Sequence, residues 1–269
     1  MPEIAMAEQP GVGLDGRPRP SEDVVIALPE AVILLDGATS TRPDLPSGGA
    51  YATELATQLA GRLTAAPELD LAALLAGAIR SVARGNGFTP GESPASTVAV
   101  VRWDESQVEA LVLADSPVVA FTPDPDLVAD DRLRTVPRGS YRDRLRGGGG
   151  FSESHVAAVR ASARKTSALR NQEGGYWVAE AVPGAAYHAI RKSWPIDTVK
   201  SILMASDGVS CGIDDYKLFT WEKVLEIAKN EGPDAVLDAV RAAEESDPDG
   251  TRWPRPKAHD DQALVLITF

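Results

Sequence analysis

The chain has 269 residues, 43% hydrophobic and 25% charged, with a formal net charge of −12. That is enough apolar material for a sizeable core, and the acidic balance argues against non-specific nucleic-acid binding. No apolar run reaches the roughly 18 residues a membrane-spanning helix needs. One cysteine, Cys211, builds no internal disulfide framework. With histidines only at 155, 188 and 259, a His/Cys zinc site lacks ligands, so any metal must be held by carboxylates.

Residues 1–16 read as an irregular lead-in, and they lack the basic-then-apolar pattern of a secretory signal, so the expected location is the cytoplasm. Two apolar runs follow, 23–28 and 31–35, parted by Pro29-Glu30 as a hairpin and ended by Asp36-Gly37. Residues 51–65 and 69–84 carry apolar side chains at helical spacing: Leu55, Leu59 and Leu63, then Leu71, Leu74, Leu75 and Ile79. After a turn-rich stretch, 85–94, strands are expected at 97–103, 109–114 and 118–122, with Asp104-Glu105 at a hairpin turn.

Residues 132–170 hold ten basic residues against two acidic ones, Asp143 and Glu153, in an otherwise acidic chain. Such an island suits an anionic ligand or phosphorylated partner, and equally a solvated mobile surface segment, which Gly147–Gly150 favours. One helix is expected within it, near 153–167. Further on, the pattern predicts a strand at 174–179, a short helix near 185–192 and an apolar strand at 199–205 running into Ser206-Asp207-Gly208. Helices at 220–230 and 233–244 and a last strand at 263–269 complete the chain. Strands outnumber strand–helix–strand alternations and the helices come in pairs, which predicts an α+β domain of helices layered on antiparallel sheet, spanning residues 1–269.

Three acidic positions share one local pattern. Asp36 follows AVILL, Asp207 follows SILMAS, and Asp260-Asp261 precede QALVLITF, so each stands at the end of an apolar strand. A buried sheet delivers such side chains rigidly to one edge, where carboxylates suit hard cations such as Mg²⁺ or Mn²⁺. Glycine directly after Asp36 and Asp207 lets the backbone turn sharply and expose a carbonyl.

The order SED, LLDG, PASTVAVV, LADS, ILMASDGV and DDQALVLITF resembles the PPM family, the type 2C serine/threonine phosphatases, in the form of a bacterial-type stand-alone domain. The resemblance runs from about Arg17 to Phe269. It implies a four-layer αββα sandwich, with two antiparallel sheets face to face and helix pairs outside. It also implies two divalent cations, Mn²⁺ or Mg²⁺, bridged by Asp36, with the carbonyl of Gly37, Asp207 and Asp260 as further ligands. Glu22 corresponds to an acidic residue near the metal centre, and Asp115 to the aspartate of a third, weaker metal site. A two-metal centre can share a hydroxide and stabilise in-line displacement at phosphorus.

The chain departs from the family pattern at several points. Asp36–Ser40 reads DGATS, without the histidine some members use as general acid. Cys211 stands where many members have an acidic ligand of the third metal, and Asp261 where asparagine is usual. The position of the family's phosphate-binding arginine is Pro18, so Arg19 or Arg17 takes that role after a one-residue shift, Arg19 being favoured. Residues 132–170 fall where the family carries a variable flap. The implied activity is hydrolysis of phosphoserine and phosphothreonine in proteins, with no nucleic-acid or membrane partner. A small-metabolite phosphatase of the same mechanism and a non-catalytic regulatory domain are the alternatives.

Overall fold

An apolar strand without polar alternation needs cover on both faces. In the computed structural model, residues 2–39, 42, 44–136 and 139–269 are described. Ser40 of the DGATS segment and Arg138 of the basic segment lie outside them. Two antiparallel five-stranded sheets form. The first runs β2 (Asp23–Leu28), β3 (Ala31–Asp36), β4 (Val98–Trp103), β5 (Gln107–Leu113) and β8 (Ile190–Pro195). The second runs β1 (Glu3–Gln9), β10 (Gln262–Thr268), β9 (Ser201–Ala205), β6 (Val118–Phe121) and β7 (Pro125–Val128).

Alternate residues of one strand serve different layers. Val32 and Leu34 of β3, with Ala99 and Val101 of β4, face the second sheet, where Ile202, Met204, Val265 and Ile267 complete a buried interlayer. Ile33 and Leu35 point the other way, into helices α1 (Gly48–Ala65) and α2 (Leu71–Asn86), against Leu55, Leu59, Leu75 and Ile79. On the far side, Leu203, Ala205, Leu264 and Leu266 meet Val224 and Ala228 of α7 (Trp221–Asn230) and Val236 and Leu237 of α8 (Pro233–Glu245). The result is the expected α+β sandwich with helix pairs outside two sheets.

The helices start and stop on local signals. Ser47 caps α1 by accepting from the Ala50 N–H at 3.1 Å, and Asp70 caps α2 by accepting from Ala73 at 3.0 Å. Gly87 ends α2 in the left-handed region, φ 67°. Pro233 opens α8, where its missing N–H costs nothing.

The described residues of 132–170 include α3 (Arg132–Thr135), α4 (Tyr141–Arg146) and α5 (Glu153–Ser167). Gly148 (φ +82°) and Gly150 (φ +54°) make the turn between α4 and α5. The segment is docked. His155 is buried beneath it, its Nε2 hydrogen-bonded to the Pro256 carbonyl at 2.9 Å and its ring edge-on to Tyr141 and Phe151. Arg134 pairs with Asp214 of α6 (Asp207–Asp214), and Arg134 and Arg142 approach Asp215 at 3.7 and 3.8 Å.

Several expectations need correction. The lead-in is not irregular at residues 3–9: β1 pairs along its whole length with β10, from Glu3 opposite Thr268 to Gln9 opposite Gln262. Residues 174–179 make only isolated bridges, Tyr176 to Arg170 and Ala179 to Ser96. The helix expected near 185–192 is a short 3₁₀ turn, Pro183–His188, that leads straight into the edge strand β8. Asp207-Gly208 opens a helix, α6, where a turn was expected.

Candidate metal centre

Asp36 is the last residue of β3, and its backbone is fixed by the segment Ser96-Thr97. Its N–H donates to Thr97 Oγ1 at 3.0 Å, while its carbonyl accepts from Ser96 Oγ and the Thr97 N–H, each at 2.9 Å. Thr97 Oγ1 in turn lies 2.6 Å from Ser116 Oγ, so the PASTV and LADS segments together hold Asp36 in place. Beside Ser116, Asp115 is delivered by Ala114, which adopts φ +67° and donates its N–H to Asp130 at 3.1 Å. A non-glycine residue in that region is an uncommon, costly conformation kept only where the surroundings hold it.

Asp207 enters from the other sheet. Ser206 Oγ accepts from the Ala263 N–H at 2.9 Å, and the Gly208 carbonyl accepts from Gln262 Nε2 at 3.1 Å, so the end of β9 is stitched to the start of β10. The glycines after both aspartates serve close approach. A Cβ on Gly37 would lie 2.3 Å from the Gly48 carbonyl carbon, and one on Gly208 would lie 1.9 Å from the Asp261 carbonyl oxygen. Neither has a positive φ, so packing, more than turning, requires glycine there.

Asp115, Asp207, Lys257 and Asp260 line two adjoining clefts, of about 110 and 300 Å³. The first opens between α6 and the arginines Arg134 and Arg142, while the second is bounded by Asp36, Gly37 and the α5 side chains Val159 and Ala163. Burial raises the Asp36 carboxyl well above the ordinary carboxylate range, and the charge of Asp207 adds most to it after burial. Asp207 is raised in the same way, by burial and then by Asp260 and Asp115.

Asp23 belongs to this group, although sequence reasoning passed over it for its neighbour Glu22. It is 5% exposed, and both carboxylate oxygens are buried without a hydrogen-bond partner. Burial pushes its carboxyl up to about 8, with Asp260 and Asp261 adding to the shift and nearby Ser206 and Lys257 opposing it. A signal was present: a two-residue turn at Pro29-Glu30 fixes the hairpin register, and that register sets Asp23 opposite Asp36.

The remaining expected residues divide. Glu22 accepts from Thr39 Oγ1 at 3.0 Å and pairs with Arg19, whose Nη2 also reaches Asp261 Oδ2 at 2.5 Å. Asp261 is 3% exposed and accepts from the Gly11 N–H at 2.8 Å, an anchor for the N-terminal segment. Arg17 is not brought to the centre: its side chain is 86% exposed and leans on Asp15 at 3.7 Å. Of the histidines, His188 stacks on Trp177, centroids 3.4 Å apart, and His259 bonds Glu244 at 3.0 Å. Cys211 Sγ is 3.4 Å from the Gly208 carbonyl, a packed thiol that burial raises well above its ordinary range.

The donor set is all oxygen, which suits a hard divalent cation. The orphaned Asp23 carboxylate and the mutual repulsion of Asp36 and Asp207 fit the same conclusion, because a cation relieves both. Among the described residues, no three acidic, imidazole or thiol side chains are gathered closely enough to chelate one ion as they stand.

No sequence-family model and no curated protein matches the chain by sequence. Solved structures match nearly end to end. The chain is similar to the PPM Ser-Thr phosphatase MsPP from Mycobacterium smegmatis, in complex with cacodylate, at 16% identity and TM-score 0.57, covering 99% of this chain and 98% of that one. It is similar to the serine/threonine phosphatase Stp1 from Staphylococcus aureus at 12% identity and TM-score 0.58, covering 100% and 95%. It also matches the catalytic domain of the serine threonine protein phosphatase PstP, in complex with two manganese ions, at 14% identity and TM-score 0.54, covering 99% and 97%. The fold is therefore that of the PPM phosphatases.

Proposed function

We propose that this chain is a divalent-metal-dependent phosphatase that hydrolyses phosphoserine and phosphothreonine in proteins. The observation that carries this reading is the meeting of Asp36 and Asp207 from opposite sheets, each raised by burial and by the negative charges gathered around it, in a cleft lined by Asp115 and Asp260. Without a cation, such converging carboxylates only destabilise the fold.

Asp36, the Gly37 carbonyl and Asp207 are assigned as the ligands of Mn²⁺ or Mg²⁺, with Asp260, Asp115 and Glu22 at the margin of the centre. A divalent cation there supplies Lewis acidity, which acidifies a water nucleophile and offsets charge on the phosphoryl oxygens. Arg19, paired with Glu22 and Asp261, is assigned as the phosphate-binding arginine, and Arg17, exposed beside Asp15, is set aside. No histidine lies among the carboxylates, so the leaving alkoxide takes its proton from water.

Protein substrates are favoured over small phosphoesters because the similar solved structures are serine/threonine phosphatases. No helix among the described residues is long and apolar enough to cross a membrane, and the cytoplasm is the proposed location. Phosphate release from phosphoserine and phosphothreonine peptides, compared with sugar and nucleotide phosphates, tests the substrate class. Faster turnover of the small phosphoesters would transfer the reading to a metabolite phosphatase.

A further inference from the structure

Among the carboxylates stand two cations of the chain itself. Lys257 is 6% exposed. Its Nζ lies 2.5 Å from Asp260 Oδ1, 3.7 Å from Asp261 Oδ2 and 3.2 Å from Thr39 Oγ1. Arg19 ties Glu22 to Asp261. No salt bridge reaches Asp36 or Asp207 among the described residues, and none reaches the buried Asp23 carboxylate opposite Asp36. Direct ion pairs therefore occupy the Asp260 side of the centre, while Asp36 and Asp207 are left without one.

A buried ammonium is tolerated only when it is paired, and removing its partner leaves a costly uncompensated charge. Asp260 Oδ1 is taken by Lys257 and by the Asp261 N–H, so a divalent ion at Asp260 would be left Oδ2 alone and would stand beside an ammonium that repels it. The neighbouring Asp261 offers no substitute, because Arg19 and the Gly11 N–H take both of its oxygens. Lysine suits this place because its charge is compact and its stem packs along protein.

We propose that the Lys257 ammonium takes the place of one of the two divalent cations that the resemblance implies, so that this chain holds a single divalent ion at Asp36 and Asp207. The inference rests on the metal-dependent reading above and sharpens it. Lys257 is then a fixed countercharge at Asp260.

The test is a count of bound metal, independent of turnover. Protein stripped with chelator is dialysed against MnCl₂, and bound Mn²⁺ is measured by elemental analysis and by electron paramagnetic resonance. The wild type and Lys257→Arg are expected to bind about one ion per chain, and Lys257→Met about two, with the exchange-coupled signal of a metal pair appearing only in Lys257→Met. Two ions in the wild type, or one in both the wild type and Lys257→Met, would overturn the inference and leave the metal-dependent reading standing. No Mn²⁺ bound by any form would overturn the reading beneath it. Should Lys257→Met fail to fold, the wild-type count and the absence of a coupled signal decide alone.

Discussion

Asp23 and Asp36 face each other directly across the β2–β3 ladder, two carboxylates in one antiparallel pair. Like charges in that position destabilise a sheet, and here the Asp23 carboxylate is buried without an ion-pair partner. The pair makes sense as part of a centre that a cation completes.

That arrangement sets a pH dependence. The Asp23 carboxyl stands at about 8 in the folded chain against an ordinary 3.8. A group raised in this way binds its proton more tightly when folded, so its contribution is full at acid pH and is lost as pH rises through the folded value. Metal-free protein is therefore expected to lose thermal stability between about pH 4 and about pH 8. Saturating Mn²⁺ should flatten the slope, and Asp23→Asn should reduce it without metal. Calorimetry across that range checks this, and a metal-free midpoint that climbs with pH would contradict it.

Removing a metal ligand should cost more than disturbing a residue that merely supports one. Since supporting partners of metal ligands are commonly worth 10–100-fold, Asp36→Asn is expected to lower kcat by at least about 100-fold. Its folded state should be as stable as the wild type or more so in chelator, because one of several mutually repelling charges is gone. Steady-state kinetics and denaturant titration on the same preparation separate the two effects.

Gly208 has no room for a side chain. Alanine would place its Cβ 1.9 Å from the Asp261 carbonyl oxygen, a backbone atom that cannot swing aside. Gly208→Ala is expected to destabilise the fold by about 1–3 kcal/mol and to reduce Mn²⁺ affinity, since the β9 and β10 ends must part. Gly61 is the control, because a Cβ added there would meet nothing within 4 Å. Gly61→Ala should leave the denaturation midpoint unchanged or raise it slightly.

The ion pairs from Arg134 and Arg142 to Asp214 and Asp215 are partly exposed, Arg134 by 36%. Pairs of that kind are worth less than about 1 kcal/mol each. Asp214→Asn with Asp215→Asn is expected to leave global stability nearly intact while α3 and α4 open more often. Limited trypsin digestion reads this as faster cleavage within residues 132–146.

Much of this was legible in the sequence where local chemistry and fold agree. The apolar runs ending at Asp36 and Asp207 read as strands because both faces are covered, and α1, α2, α7 and α8 fall where helices were expected. The misses have physical causes. The strand β1 has an interrupted apolar pattern, EIAMAEQ, and owes its place to pairing with β10. The edge strand β8, IRKSWP, is mostly exposed and polar, so it carries no burial signal. Lys257 sits in an irregular Pro-rich loop, where no period tells which side chain turns inward. Arg17 and Arg19 flank one proline, and only the tertiary contacts with Glu22 and Asp261 distinguish them.

The most direct test of the phosphatase reading is hydrolysis of para-nitrophenyl phosphate by purified protein with Mn²⁺, with Mg²⁺ and with chelator, beside Asp207→Ala. The account predicts turnover that requires a divalent metal and is lost in Asp207→Ala. Full turnover in chelator, undiminished turnover in the variant, or none from folded protein with either metal would contradict it.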